Sequence, residues 1–172
     1  EDPEEPWKLE QEITLDRVAP GAAFGQSLAL DGNLLVIGAP NDTVDDLERA
    51  GAVYVLKWGP ISGEFRQVAR LTSPEPVENG VFGYSVATAT DLIIIGEPGD
   101  AAGNTPGQVH IFEPGADVPW TISESLSARG ATGADQFGFS VSFDGTSVFA
   151  SAIRADTPAA PTSGAVYVYQ YS

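Results

Sequence analysis

The sequence predicts an all-β fold in which one four-stranded antiparallel unit is written three times. Three observations carry that prediction. A Phe-Gly pair recurs with companions at fixed distances on either side. The segments between these marks have strand length, and no helical apolar period is sustained over ten residues. Gly (19) and Pro (13) punctuate the chain without a collagen-like period, at a density that calls for many tight turns. A chain of 172 residues suffices for one core or one repeat array.

The Phe-Gly pairs are Phe24-Gly25, Phe82-Gly83 and Phe137-Gly138. Seventeen positions before each phenylalanine stands an aromatic residue (Trp7, Phe65, Trp120), and eleven before it an aliphatic one (Ile13, Leu71, Leu126). Fourteen positions after it an apolar run closes in Gly38-Ala39-Pro40, Gly96-Glu97-Pro98 and, in degenerate form, Ser151-Ala152-Ile153. A glycine-led apolar strand follows at Gly51, Gly107 and Gly164, after 13, 11 and 13 residues. Slack confined to that one stretch is what a surface loop allows. Offsets held across three copies are the signature of a repeat architecture.

Each segment reads as a strand. Ser27-Leu28-Ala29-Leu30, Ser85-Val86-Ala87-Thr88 and Ser140-Val141-Ser142-Phe143 alternate. Residues 34–37, 92–95 and 147–150 are mostly continuous apolar runs, as in strands covered on both faces. Asp31-Gly32-Asn33, Thr90-Asp91 and Asp144-Gly145-Thr146 separate the two kinds of run, and Asp-Gly favours the φ > 0 backbone of a tight hairpin. Four such strands per repeat is the arithmetic of a propeller blade.

Phe-Gly, a strand, Gly-Ala-Pro, then Gly-x-Val-Tyr-Val closely resembles the FG-GAP repeat of integrin α-chain propellers and of many bacterial and algal surface proteins. The resemblance covers about residues 7–172, with repeats at about 7–58, 65–113 and 120–172, and leaves 1–6 as an acidic, Pro-rich N-terminal extension. It implies a single array of β-propeller blades with the Phe-Gly strand innermost and the aromatic-led strand outermost. In that phase the chain opens on an outermost strand, residues 7–15, and its last blade lacks one. Three blades are fewer than the four to eight of natural propellers. The edge at 164–171 would be apolar and unpaired, an association hazard. Two expectations follow: an oligomeric ring or filament in which 7–15 of one copy completes 164–171 of the next, or the remaining blades of a longer chain. The first is preferred, with Trp7, Leu9, Ile13, Val166, Val168 and Tyr169 at the interface.

Charge narrows the partners. Asp and Glu number 24 against 8 Lys and Arg, a formal charge of −16. Such a polyanion repels nucleic acid and anionic lipid, whose binding needs clustered basic residues. No apolar run approaches the roughly 20 residues of a membrane-spanning helix, so membrane insertion is not expected. There is no cysteine and no methionine. The first excludes disulfides and thiolate sites. The second suggests a chain that has lost its initiator and, in a secreted protein, a signal peptide. Asn41-Asp42-Thr43 is a glycosylation sequon. An extracellular or cell-surface location is expected.

Few residues offer chemistry. The integrin-type repeat carries an Asp-rich calcium loop between its first two strands, and the short turns here do not. A separate acidic group, Asn41, Asp42, Asp45, Asp46 and Glu48, offers oxygen donors of the kind Ca²⁺ takes. Its favoured reading is a solvated loop, with a Ca²⁺ site as the alternative; no other cofactor is implied. His110 is the only histidine and occupies the slot of Tyr54 and Tyr167, as a packing or surface variant would. Without a second histidine or a cysteine there is no His-based metal triad and no Cys–His pair. No acidic pair recurs at positions facing one channel, as a glycosidase would need. Trp7, Phe65 and Trp120 suit packing between blades better than stacking on a sugar. The expected function is a non-enzymatic module for adhesion or self-assembly. The alternatives are a lectin-like propeller binding a glycan, and an accessory domain of a larger secreted protein.

Overall fold

The turns organise the fold. The computed structural model describes residues 7–99, 103, 106–116, 119–130, 132–158 and 160–170; the predicted extension at 1–6 lies outside them. Gly32 (φ 56°) sits in the first hairpin turn, and Thr90 (φ 51°) with Asp91 (φ 66°) makes the second. Both of the latter are left-handed, as a two-residue hairpin turn requires. In the third, Asp144 accepts hydrogen bonds from the backbone N–H groups of Thr146 (2.8 Å) and Ser147 (2.7 Å). Those bonds, Ser147's first, hold its carboxyl below the usual carboxylate range.

The hairpins start three antiparallel sheets. The first is β1 (Ser27–Asp31), β2 (Leu34–Ala39), β3 (Ala52–Gly59) and β4 (Glu64–Thr72), paired in that order. The second repeats it as β5 (Ser85–Ala89), β6 (Leu92–Glu97), β7 (Gln108–Pro114) and β8 (Trp120–Leu126). The third has β9 (Phe137–Phe143), β10 (Ser147–Ala152) and β11 (Ala165–Gln170), with no fourth strand among the described residues. Registers repeat: Ser27 faces Gly38 as Ser85 faces Gly96, and Val36 faces Val55 as Ile94 faces Ile111. A bulge falls at Val55/Leu56 and again at Ile111/Phe112. The only helical element among the described residues is the 3-10 turn Gly133–Asp135.

The sheets stack face to face on alternating side chains. Val36, Val53 and Val55 of the first meet Phe82, Ile93 and Phe112 of the second. Ile94, Val109 and Ile111 on the opposite face of the second meet Phe137, Val148 and Ala150 of the third. Each Phe-Gly phenylalanine lies against the same third-strand position: Phe24 on Tyr54 (centroids 5.5 Å), Phe82 on His110 (5.5 Å), Phe137 on Tyr167 (5.4 Å). His110 is thus a fully buried member of a ring series, as a packing variant should be.

Close backbone approach explains the glycines. The Ser27 hydroxyl donates to the Gly83 carbonyl at 2.8 Å, and the Ser85 hydroxyl to the Gly138 carbonyl at 2.9 Å. A Cβ on Gly38 or Gly96 would overlap those same carbonyl oxygens. The Gly-Ala-Pro glycine is therefore a contact point between sheets, and the Phe-Gly glycines, at φ 85–90°, turn their carbonyls toward it. The third sheet departs here. Ser151 replaces this glycine, and its hydroxyl oxygen accepts from the Ser140 N–H at 3.0 Å. On the same outward face, Ser142 and Ser147 stand where the other sheets have Ala29 or Ala87 and Leu34 or Leu92.

Residues 7–15 correct an expectation. They form no strand in this chain. Inward and outward positions still alternate, with Gln11, Ile13 and Leu15 half-buried and Glu12, Thr14 and Asp16 exposed. Ile13 and Leu15 pack on the face of the first sheet turned away from the second, beside Ile37, Tyr54 and Leu56. The Gln11 side chain bonds both backbone groups of Phe65, donating to its carbonyl (3.1 Å) and accepting from its N–H (2.9 Å). A side-chain clip on Phe65, in the edge strand β4, holds the segment in place of a backbone ladder.

Candidate assembly edge

Three places in the molecule gather the residue types that carry function. The first is the acidic loop after β2. Asp42 is buried, with Oδ2 accepting from the Tyr54 hydroxyl (2.7 Å) and from Arg70 Nη2 (3.0 Å). Its Oδ1 accepts from the N–H groups of Thr43 (3.1 Å) and Ala19 (3.3 Å). Burial first, then the bond to Asp42, raises the Tyr54 hydroxyl above its ordinary range. Burial would lower Arg70, but its bonds to Tyr54 and Asp42 outweigh that and raise it. Asp45 (φ 49°) and Asp46 (φ 67°) sit exposed in the turn between Val44 and Leu47. The predicted set Asn41, Asp42, Asp45 and Asp46 is not brought together as a metal site. Asp42 points inward onto a hydroxyl and a guanidinium, and no group of three potential ligands forms among the described residues. Asn41 is half-buried, its N–H bonded to the Ala22 carbonyl at 3.0 Å.

The second place is the matching position of the second sheet. Glu97 Oε2 lies 2.7 Å from His110 Nε2, and Ser125 Oγ lies 2.8 Å from His110 Nδ1. Glu97 and His110 are buried. His110 and Ser125 occupy the strand positions of Tyr54 and Arg70, a cross-strand pair in each sheet (Tyr54 opposite Arg70, His110 opposite Ser125). The two rows are alternative fillings of one bracing position. Sequence reading missed both sets of partners, and the one signal available was Glu97 standing where the first repeat has Ala39.

The third place is the free edge of the third sheet. β11 pairs with β10 on one side only. Val166 is 67% exposed and Val168 58%. Tyr169 is half-buried, its hydroxyl donating to the Ser127 carbonyl at 3.0 Å, and burial raises it above the ordinary tyrosine range. A cavity of about 340 Å³ opens beside it, between the second and third sheets. At the opposite end of the stack, Trp7 is 87% exposed and Leu9 79%, while Ile13 packs on its own chain. The predicted interface residues therefore form two separate patches, an apolar edge and an apolar strand-length segment. Tyr171 lies outside the described residues.

Residues 7–56, 65–112 and 120–169 each match the FG-GAP repeat. No curated protein matches the chain.

Proposed function

The chain belongs to the FG-GAP repeat family, and from that premise we propose that its sheets are β-propeller blades of a non-enzymatic assembly module on or outside the cell. The observation that carries this reading is the pairing of a three-stranded third sheet with a spare strand-length segment, 7–15, that has no ladder of its own. In the first two sheets the fourth strand is an aromatic-led segment, Phe65 in β4 and Trp120 in β8. Residues 7–15 have that spacing, and their donation to β11 of a neighbouring copy gives the third sheet the same four strands.

The repeat supplies the register of the donated strand. Leu71 faces Val53 and Gln67 faces Leu56 in the first sheet. The corresponding pairs are Ile13 opposite Val166 and Leu9 opposite Tyr169, with the bulge at Glu10. Strand addition satisfies a row of backbone groups and covers an edge that otherwise recruits other chains. Two copies exchanging strands mutually make a closed pair with six blades; one-way exchange makes a filament. With −16 charges per copy, association strengthens with salt, since repulsion is screened beyond about 8 Å at physiological ionic strength.

Sedimentation velocity on the full chain and on a chain lacking residues 1–15 tests the proposal. The full chain should be oligomeric and the truncated one monomeric and aggregation-prone, with partial rescue by a peptide of residues 7–15. A well-folded full-length monomer at micromolar concentration sinks it, and points to residues outside this sequence as the source of the fourth strand.

A further inference from the structure

The cavity between the second and third sheets has a filled counterpart one unit earlier. At the junction of the first and second sheets, the Trp120 indole is buried in one cluster with Leu34, Val36, Val55, Leu71, Ile93 and Phe112. Moving each of these six forward by one repeat gives Leu92, Ile94, Ile111, Leu126, Val148 and Tyr169. All six line the cavity. The strand registers agree: Ile93 faces Phe112 as Val148 faces Tyr169, and Val53 faces Leu71 as Val109 faces Leu126. What the later junction lacks is the ring. Trp120 begins the fourth strand of its sheet, and the residue of this chain at the same repeat position is Trp7.

We infer that this cavity is the socket for Trp7 of a second copy, the anchor that selects and registers the donated strand. The inference rests on the strand-exchange reading above. The chain's own Trp7 does not fit the distance. Gln11 is tied to Phe65 on the outer side of the first sheet. Four residues reach at most about 14 Å, whereas two sheet layers at about 10 Å spacing separate that side from the cavity. The chemistry of the socket also suits an indole. Trp120 Nε1 donates to the Asp91 carbonyl at 3.3 Å, and the corresponding carbonyl in the third sheet is that of Thr146. Lys57 lies 5.0 Å from the Trp120 ring centre; its counterpart is Glu113, so the second socket holds its ring without that cation, on apolar side chains with Glu124 and Gln170 also in the lining. A tryptophan buries about 150–250 Å² on such a contact, and buried aromatic anchors dominate interface energetics.

The test uses the full chain with Trp7→Ala and Trp7→Phe, read by sedimentation velocity. It adds a peptide of residues 7–15 carrying a benzophenone amino acid at position 7 for photo-crosslinking. Trp7→Ala should weaken association about 30-fold or more. It should leave the far-UV circular dichroism of the isolated chain unchanged, because Trp7 touches no core. Trp7→Phe should restore most of the affinity, since Phe65 serves at that position in the first sheet. The crosslink should map to residues that line the cavity, such as Ile94, Ile111, Leu126, Val148 or Tyr169. Association unchanged by Trp7→Ala, or a crosslink away from the cavity lining, overturns the socket while leaving strand exchange standing. A monomeric full chain that still captures the peptide in a Trp7-dependent way keeps the socket and ends the idea that a second copy donates the strand. A monomer that ignores the peptide ends both.

Discussion

Replacing Gly96 by alanine isolates the contact on which the stacking of sheets depends. Gly96 does not have a left-handed φ, so the substitution adds no backbone strain and acts through space alone. The new methyl carbon would stand 3.1 Å from the Gly138 carbonyl carbon, with the oxygen closer still, and against the Ser85 hydroxyl. Both neighbours are held: the carbonyl is backbone, and the hydroxyl is bonded to it at 2.9 Å. Relief therefore requires the second and third sheets to separate. Overpacking of this kind costs about 1–3 kcal/mol, and loss of the Ser85–Gly138 bond adds about 0.5–1.5 kcal/mol. A loss near 3 kcal/mol lowers the melting temperature by about 6–12 °C for a chain of this size. Urea denaturation followed by circular dichroism measures it, with Ser151→Gly as the control. That change removes the two contacts of the Ser151 hydroxyl with the Ser140 backbone, at 3.0 and 3.5 Å, on a face with no neighbouring sheet in this chain, and should cost about 1 kcal/mol. Equal effects from the two variants, or a Gly96→Ala loss below about 1 kcal/mol, would mean that the glycine contact does not hold the sheets together.

Phe82→Ala should cost about 3–5 kcal/mol in the same assay, because the ring is fully buried between the first two sheets; a loss below about 1 kcal/mol contradicts that burial. Tyr54 is raised above its ordinary range, so the stability it contributes is intact below the ordinary tyrosine value and is lost as pH rises through the folded one. Melting temperature should fall from about pH 10 upward, and less steeply in Tyr54→Phe; parallel slopes would show that Tyr54 is not the group responsible. Thr90 is a β-branched residue at φ 51°, where asparagine is at home, and Thr90→Asn should stabilise by about 1 kcal/mol. A destabilised variant would show that Thr90 supports the β5–β6 hairpin in some other way.

What could be read from the sequence follows from where backbones touch. Gly38 with Gly83, and Gly96 with Gly138, stand at fixed offsets because a carbonyl of one sheet rests on a glycine of its neighbour, where no side chain fits. Each hairpin was legible too, since short turns leave the chain few conformations. The Asp42–Tyr54–Arg70 row was not. Its members come from a loop and two strands 12 to 28 positions apart, and hydrogen bonding between side chains leaves no period. The geometry of the acidic loop was hidden for the same reason: composition places Asp42, Asp45 and Asp46 together, while Asp42 points inward onto Tyr54 and Arg70 and the other two sit exposed in a left-handed turn. Residues 7–15 carried the offset of an outer strand, yet they form no strand in this chain, because a ladder needs a partner edge and an offset supplies none.

Ser151 bears on how an array like this can change in length. Duplicating the first or second unit in place copies a glycine onto each new junction, and the insertion needs no compensating substitution. Any sheet packed on the outward face of the third, whether an added unit or the first sheet of a neighbouring copy, would set a Phe-Gly backbone against the Ser151 side chain. That junction must therefore be looser than the glycine ones, and a designer tightening the stack there would edit residue 151 before anything else.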